Sequence, residues 1–270
     1  MLFLYTFNDE HYILRRRIFG VSLLPTIIAH RGASDIAPEN TLPAFRLAEQ
    51  LGAESIETDV HLTKDDIPVL IHDARLERTT NGQGYVKDYT FAELKQLDAG
   101  AWFANQYKAT QLMSLAQFLQ WIKPKQLTIN LELKNNEIHY KYLEEIVYEH
   151  IEQFNMEHRI TISTFNPDSI QHMASFNKEV PLALLRSRRK QHLWTYAVEL
   201  GANSLHINYR LLNKHLLQQC ERHQLAVRVY TVNKFRQMMH CFNLQCHGIF
   251  TDVPGKALYH RKSFLLNNSF

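Results

Sequence analysis

The chain is poor in cysteine, has no long apolar run and carries little net charge, and each shortage removes a class of protein. Its 270 residues include 3 cysteines, Cys220, Cys241 and Cys246. They are too few and too clustered for a disulfide framework, and no paired Cys/His finger spacing accompanies them. They read as reduced, partly buried thiols of a cytoplasmic protein. A formal charge of +3 is too small to imply a nucleic-acid partner. No segment qualifies as transmembrane, because the apolar stretch 18–29 is too short to span a bilayer and runs into a strand. At the N-terminus, MLFLYTF precedes the arginines at 15–17, the reverse of a secretory signal. Residues 1–24 therefore read as an extra arm, with a peripheral membrane contact through Arg15, Arg16, Arg17 and Phe19 as the minor alternative. The sequence carries no signal for oligomeric state.

What is present is a globular balance, 45% hydrophobic and 21% charged, in a length that suits an α/β barrel of roughly 250 residues. Apolar runs bounded by turn signals predict strands at 26–30, 55–60, 128–133, 160–164, 181–185, 204–207, 226–231 and 248–251. Helical patterns lie between them, near 140–153, 167–175, 191–200, 214–222 and 234–242. The first helix is the clearest: Asn40 or Thr41 can cap it, Pro43 suits its first turn and Gly52 follows its end. Eight strand–helix units with short connections predict a (β/α)₈ TIM barrel over residues 25–270, with an open doubly wound sheet as runner-up. The interval 74–113 breaks the rhythm. It holds a Gly-rich turn at 79–84 and a short helix near 90–97, and reads as a small insertion after the second strand. Its attachment above the rim predicts that it walls one side of a pocket.

The chemistry begins in the second strand, Ser55-Ile56-Glu57-Thr58-Asp59-Val60. Alternation puts Glu57 and Asp59 on one face. Taken alone, two solvated acids on a surface strand are the blander reading. In a barrel strand buried on both sides the pair would repel and lose its hydration, a penalty that a divalent cation removes. The loop after Val60 is too short for a parallel crossover, so residues 67–73 should return antiparallel as a hairpin. A turn centred between Asp65 and Asp66 would set His72 across from Asp59, as a candidate proton donor. Glu132 and Lys134 share a face at the end of the third strand, and His30, Arg31 and Gly32 end the first. Barrel active sites lie at that rim. Oxygen-only ligands favour Mg²⁺ or Ca²⁺ over Zn²⁺, Arg31 and Lys134 can neutralise phosphate oxygens, and two histidines supply a base and an acid. These residue types together read as phosphodiester cleavage.

At these residues the chain resembles the glycerophosphodiester phosphodiesterases. The matching text is AHRG at 29–32, PENT at 38–41, ETDV at 57–60, LTKD at 62–65, IHD at 71–73, RTT at 78–80, LDAG at 97–100, LELK at 131–134, YTVN at 230–233 and TDVP at 251–254. The resemblance spans 26–254. It implies a barrel with an insertion, a divalent metal on Glu57, Asp59 and Glu132, an acid–base pair His30 and His72, and phosphate contacts from Arg31 and Lys134. It also implies a support role for Glu39 in the first loop, with a solvated acid at the helix start as the alternative. The implied reaction is hydrolysis of small-molecule glycerophosphodiesters to sn-glycerol 3-phosphate and an alcohol, in phospholipid and glycerol metabolism. A lysophospholipase D acting on membrane lipid is the alternative, and a catalytically silent barrel the reading from a different class. There are two departures from the family pattern. Tyr230 replaces the usual tryptophan before TVN and bears on the substrate pocket, and Met113-Ser114-Leu115 replaces Pro-Thr-Leu.

Overall fold

The computed structural model describes residues 24–177 and 179–267. Of the predicted arm only Leu24 falls within them, buried in the core. The rest of the arm, with Arg15, Arg16, Arg17 and Phe19, lies outside the described residues.

Strand β1 (Thr26–His30) leads to helix α1 (Leu42–Gln50), then β2 (Ser55–Leu62) and β3 (Pro68–Leu70). After the insertion, with its one-turn helix α2 (Phe91–Leu94), come α3 (Leu115–Ile122) and β4 (Thr128–Leu133). The alternation continues with α4 (Leu143–Phe154), β5 (Ile160–Thr164), α5 (Pro167–Phe176), β6 (Leu182–Arg186), α6 (Leu193–Glu199) and β7 (Ser204–Asn208). It ends with α7 (Lys214–Arg222), β8 (Ala226–Tyr230), α8 (Phe235–Leu244), β9 (Gly248–Thr251) and α9 (Pro254–Asn267). All neighbouring strands except β3 pair in parallel, and β1 bonds both β2 and β9. That double pairing closes an eight-stranded barrel and excludes the open sheet.

The helices pack because their apolar residues recur at helical spacing. In α3 the buried set is Leu115, Phe118, Leu119 and Ile122, an i, i+3, i+4, i+7 stripe. Phe118 meets Phe45 of α1 at 4.8 Å between ring centroids, and truncating a buried ring of this kind to alanine costs roughly 3–5 kcal/mol. Ser114, where the family pattern has threonine, caps α3 by accepting from Gln117 N–H while Gln117 Oε1 accepts from Ser114 N–H. The departure leaves the cap intact.

Three expectations need correction. Thr41 takes the N-cap position of α1 but makes no side-chain cap bond, because its hydroxyl donates to the Pro38 carbonyl, and Asn40, at φ +56°, turns its amide to the barrel. The β2–β3 hairpin is one residue out of the predicted register, with Val60 opposite Leu70 and Leu62 opposite Pro68. The turn centres on Asp65, and Ile71 rather than His72 bonds Asp59, through the main chain. The insertion packs on its own small core of Leu76, Val86, Leu94, Ala99 and Leu112 with Val69 and Ile71 of the hairpin. None of residues 74–113 lines the cavity described below.

Candidate active site

Strand register places the chemistry. His30 of β1 lies beside Glu57 of β2, and Asp59 of β2 beside Glu132 of β4. All four stand at the carboxyl ends of adjacent parallel strands, where the pleat turns them to one side. One oxygen from each of Glu57, Asp59 and Glu132 lies within 4.8 Å of the other two, and all three residues are buried.

Burial of three carboxylates has electrostatic consequences. Glu57 is pushed up to about 8, first by burial and then by the charge of Asp59. Burial would raise Asp59 too, but Lys134 and Arg31 outweigh it and hold Asp59 well below the usual carboxylate range. Lys134 Nζ lies 2.9 Å from Asp59 Oδ1 and also donates to Glu132. Arg31 Nε lies 3.2 Å from Asp59 Oδ2, and the Arg31 main-chain N–H donates to Glu57 Oε2 at 2.8 Å. Asn40 finishes the arrangement, with Nδ2 donating to Asp59 Oδ2 at 2.8 Å and Oδ1 accepting from Thr58 at 2.7 Å. Glu57 Oε1 remains buried without a hydrogen-bond partner. An unpartnered buried oxygen in a group of three carboxylates fits a hard divalent cation, whose ligands are oxygens.

Each histidine has its own aspartate. His30 Nδ1 is 2.7 Å from Asp252 Oδ1, and Asp252 also accepts from Asn233 at 2.5 Å and from Ser34 at 3.3 Å. Burial lowers the His30 pKa, but Glu57 and Asp252 raise it more, so the net shift is upward. His72 Nδ1 is 2.6 Å from Asp73 Oδ1. Arg78 holds Asp73 through both oxygens and reaches Glu39 through two more bonds. Glu39 in turn accepts from Arg31. The His72 carbonyl accepts from His61 Nε2 at 3.0 Å, while His61 Nδ1 faces the Tyr140 hydroxyl at 2.9 Å. Burial takes His61 down to about 4, so it is neutral, with Nε2 carrying the proton.

Gly32 lets the loop close. Its φ is +88°, and an added Cβ would stand 2.7 Å from the Ala44 backbone. The first loop therefore rests directly on α1, with Arg31, Glu39 and Asn40 aimed inward.

The cavity has a volume of about 260 Å³. His30, Arg31, Glu57, His72, Glu132 and Lys134 form one wall, and Phe165, Leu185, Asn208, Tyr230 and Phe250 the other. Of the metal, acid–base, phosphate and pocket residues expected from the sequence, Asp59 alone is not on its surface; it lies fully buried behind Arg31 and Lys134, and the supporting Glu39 also stands off the cavity. Sequence reasoning missed Asn40, His61, Asp73, Arg78, Asn233 and Asp252. Five of them sit in the motifs PENT, IHD, RTT, YTVN and TDVP, which were the available signal; His61 had none.

A closed parallel barrel with acids and histidines at its carboxyl rim defines a hydrolytic (β/α)₈ enzyme. Residues 30–256 match the Glycerophosphoryl diester phosphodiesterase family, and the chain belongs to that family of phosphoric diester hydrolases. It is 36% identical over 228 residues to a glycerophosphodiester phosphodiesterase of Caldanaerobacter subterraneus subsp. tengcongensis, covering 84% of this chain and 94% of that one. It is 37% identical over 235 residues to a glycerophosphodiester phosphodiesterase of Bacillus altitudinis, covering 86% and 96%. Among solved structures, an Oleispira antarctica phosphodiesterase in complex with the product sn-glycerol-3-phosphate superposes with a TM-score of 0.80 at 30% identity, over 88% of this chain and 97% of that one.

Proposed function

We propose that the chain hydrolyses glycerophosphodiesters to sn-glycerol 3-phosphate and an alcohol, with Mg²⁺ or Ca²⁺ held by Glu57, Asp59 and Glu132. The observation that carries this reading is the convergence of those three carboxylates in one cavity with two histidines, each tied to its own aspartate. The product named for the Oleispira structure supports the product assignment. Buried free thiols at Cys220, Cys241 and Cys246 support a reducing, cytoplasmic setting.

Arg31 and Lys134 bind the non-bridging phosphate oxygens and orient the phosphorus. A bound divalent cation adds charge stabilisation of those oxygens as the transition state forms. Asp252 fixes the His30 tautomer with the proton on Nδ1, leaving Nε2 to take the proton of the nucleophile: water, or the substrate's own glycerol 2-hydroxyl, in which case water opens the resulting cyclic phosphate in a second step to give sn-glycerol 3-phosphate. His72, held protonated on Nδ1 against Asp73, gives its Nε2 proton to the departing alkoxide. Purified protein assayed against glycerophosphocholine, glycerophosphoglycerol and lysophosphatidylcholine, with Mg²⁺, Ca²⁺ or chelator, tests the proposal. Chelator-sensitive release of sn-glycerol 3-phosphate is the expected result. Turnover of the lysolipid alone, or full activity in chelator, refutes it.

A further inference from the structure

The acids of this chain are unevenly placed. Residues 180–251 hold ten lysines and arginines against two acids, Glu199 and Glu221. Both acids sit near the ends of their helices, α6 and α7. A helix that follows a barrel strand runs back down, so its C-terminus lies at the face opposite the active site. The rim segments after β6, β7 and β8 therefore contain no acid. They do contain Arg188, Arg189, Lys190, Arg210, Lys234 and Arg236, all exposed. None of the six pairs with a carboxylate among the described residues. The other rim segments differ: Asp35 and Glu39 follow β1, Asp73 follows β3, Glu137 follows β4, Asp168 follows β5 and Asp252 follows β9.

This acid-free arc adjoins the cavity. Leu185, Asn208 and Tyr230, which end or nearly end β6, β7 and β8, line the cavity wall facing the catalytic histidines. Arg186 follows Leu185 directly, and its charge reaches the Tyr230 hydroxyl. Inside the cavity, Arg31 and Lys134 are already matched by Asp59, Glu39 and Glu132. The arc is thus positive charge beyond what the scissile phosphate and its carboxylate setting use. Like charge gathered at a cleft mouth focuses the field and favours counter-charged ligands at moderate salt.

Resting on the activity proposed above, we infer that the enzyme prefers soluble glycerophosphodiesters whose alcohol half carries a negative charge of its own. The scissile phosphate sits at Arg31 and Lys134, and the second anionic group of the leaving alcohol lies along the β6–β8 arc.

The test compares glycerophosphoglycerol with bis(glycerophospho)glycerol, in which the leaving alcohol bears a second phosphodiester. At low ionic strength kcat/KM for the second should exceed the first by about tenfold, beyond the roughly twofold expected from its two equivalent ends. By about 0.5 M salt the ratio should fall toward two. The triple change Arg188→Glu, Arg189→Glu, Lys190→Glu should also bring it near two or below, whereas Lys95→Glu with Lys262→Glu, off the arc, should leave it unchanged. An equal ratio in wild type and triple variant overturns the inference. So does a salt-independent ratio. Loss of phosphatidylglycerol vesicle binding in the triple variant, with the substrate ratio intact, would overturn it too and make the arc a lipid-facing surface. Failure of the wild type on both diesters would instead strike at the activity itself.

Discussion

Asp252 stands 222 residues from His30 in the chain and 2.7 Å from its Nδ1. The carboxylate raises the His30 pKa, together with Glu57 and against burial. A base must be deprotonated to work, so a raised pKa puts the acid limb of the rate profile above the ordinary histidine value of about 6.5. Asp252→Asn removes the charge but keeps the shape. The acid limb of kcat/KM should move to lower pH while the maximum falls by about 10- to 100-fold, since the tautomer is no longer fixed. An acid limb that stays in place would detach Asp252 from the base.

The proposed metal site supplies a second pH dependence with the same sign. Burial and the charge of Asp59 push Glu57 up to about 8, and a metal must displace that proton to bind. Affinity for Mg²⁺ or Ca²⁺, measured by calorimetry, should therefore fall as pH drops through 8 to 6, approaching tenfold per unit. Glu57→Gln should lose both the affinity and this slope. Flat affinity between pH 6 and 8 in the wild type would mean that Glu57 is already ionised before the metal arrives.

Most of the barrel was legible because its signals are local. Turn residues bracket apolar runs, and each of the eight predicted barrel strands has its counterpart within one or two residues. The convergence of Glu57, Asp59 and Glu132 was legible for a related reason: alternation along β2 and β4 fixes which side chains share a face. What was not legible depends on tertiary contact. Asn40 looks like a helix cap from its neighbours in sequence, yet its amide bridges Thr58 and Asp59. A hairpin turn can centre on one residue as easily as between two, and the choice of Asp65 moved the register by one. Attachment of the insertion at the rim predicts a pocket wall, but its apolar residues find partners in Val69 and Ile71.

His61 illustrates support that leaves no motif. It is 2% exposed and joins the Tyr140 hydroxyl to the main chain of His72. His61→Phe should therefore lower kcat by about tenfold with little change in KM, because the substrate contacts survive while the acid is misplaced. His61→Gln can still donate to the His72 carbonyl and should recover most of the loss. Equal damage from both substitutions would point to core packing instead.

Gly32 offers a purely conformational prediction. Its positive φ and the 2.7 Å approach to Ala44 both oppose a side chain. Gly32→Ala should cost about 2–4 kcal/mol. Thermal unfolding should show that cost even where metal is absent. A melting temperature within a degree of wild type would show that α1 can yield.

Arg78 ties the insertion to the site. Arg78 binds Asp73 with Nε and Nη2, at 2.6 and 3.0 Å, and binds Glu39 with Nη1 and Nη2, each at 2.8 Å. Asp73 holds the proposed acid His72, and Glu39 holds Arg31, the proposed phosphate contact. One guanidinium thus orients an acid and a phosphate contact that lie on different loops. Lysine cannot copy this, because an ammonium lacks the planar fork that meets two carboxylates at once. Arg78→Met should lower kcat/KM by about 100-fold or more. The loss should be smaller for an aryl phosphodiester, whose leaving group needs no proton, and that residual loss then measures the Arg31 branch alone. Arg78→Lys should recover only part of the activity. Asp73→Asn should match the leaving-group dependence without the residual, and Glu39→Gln should show the residual without the leaving-group dependence. If Arg78→Met instead reduced every substrate equally and both single changes were silent, Arg78 would merely brace the surface of the loop.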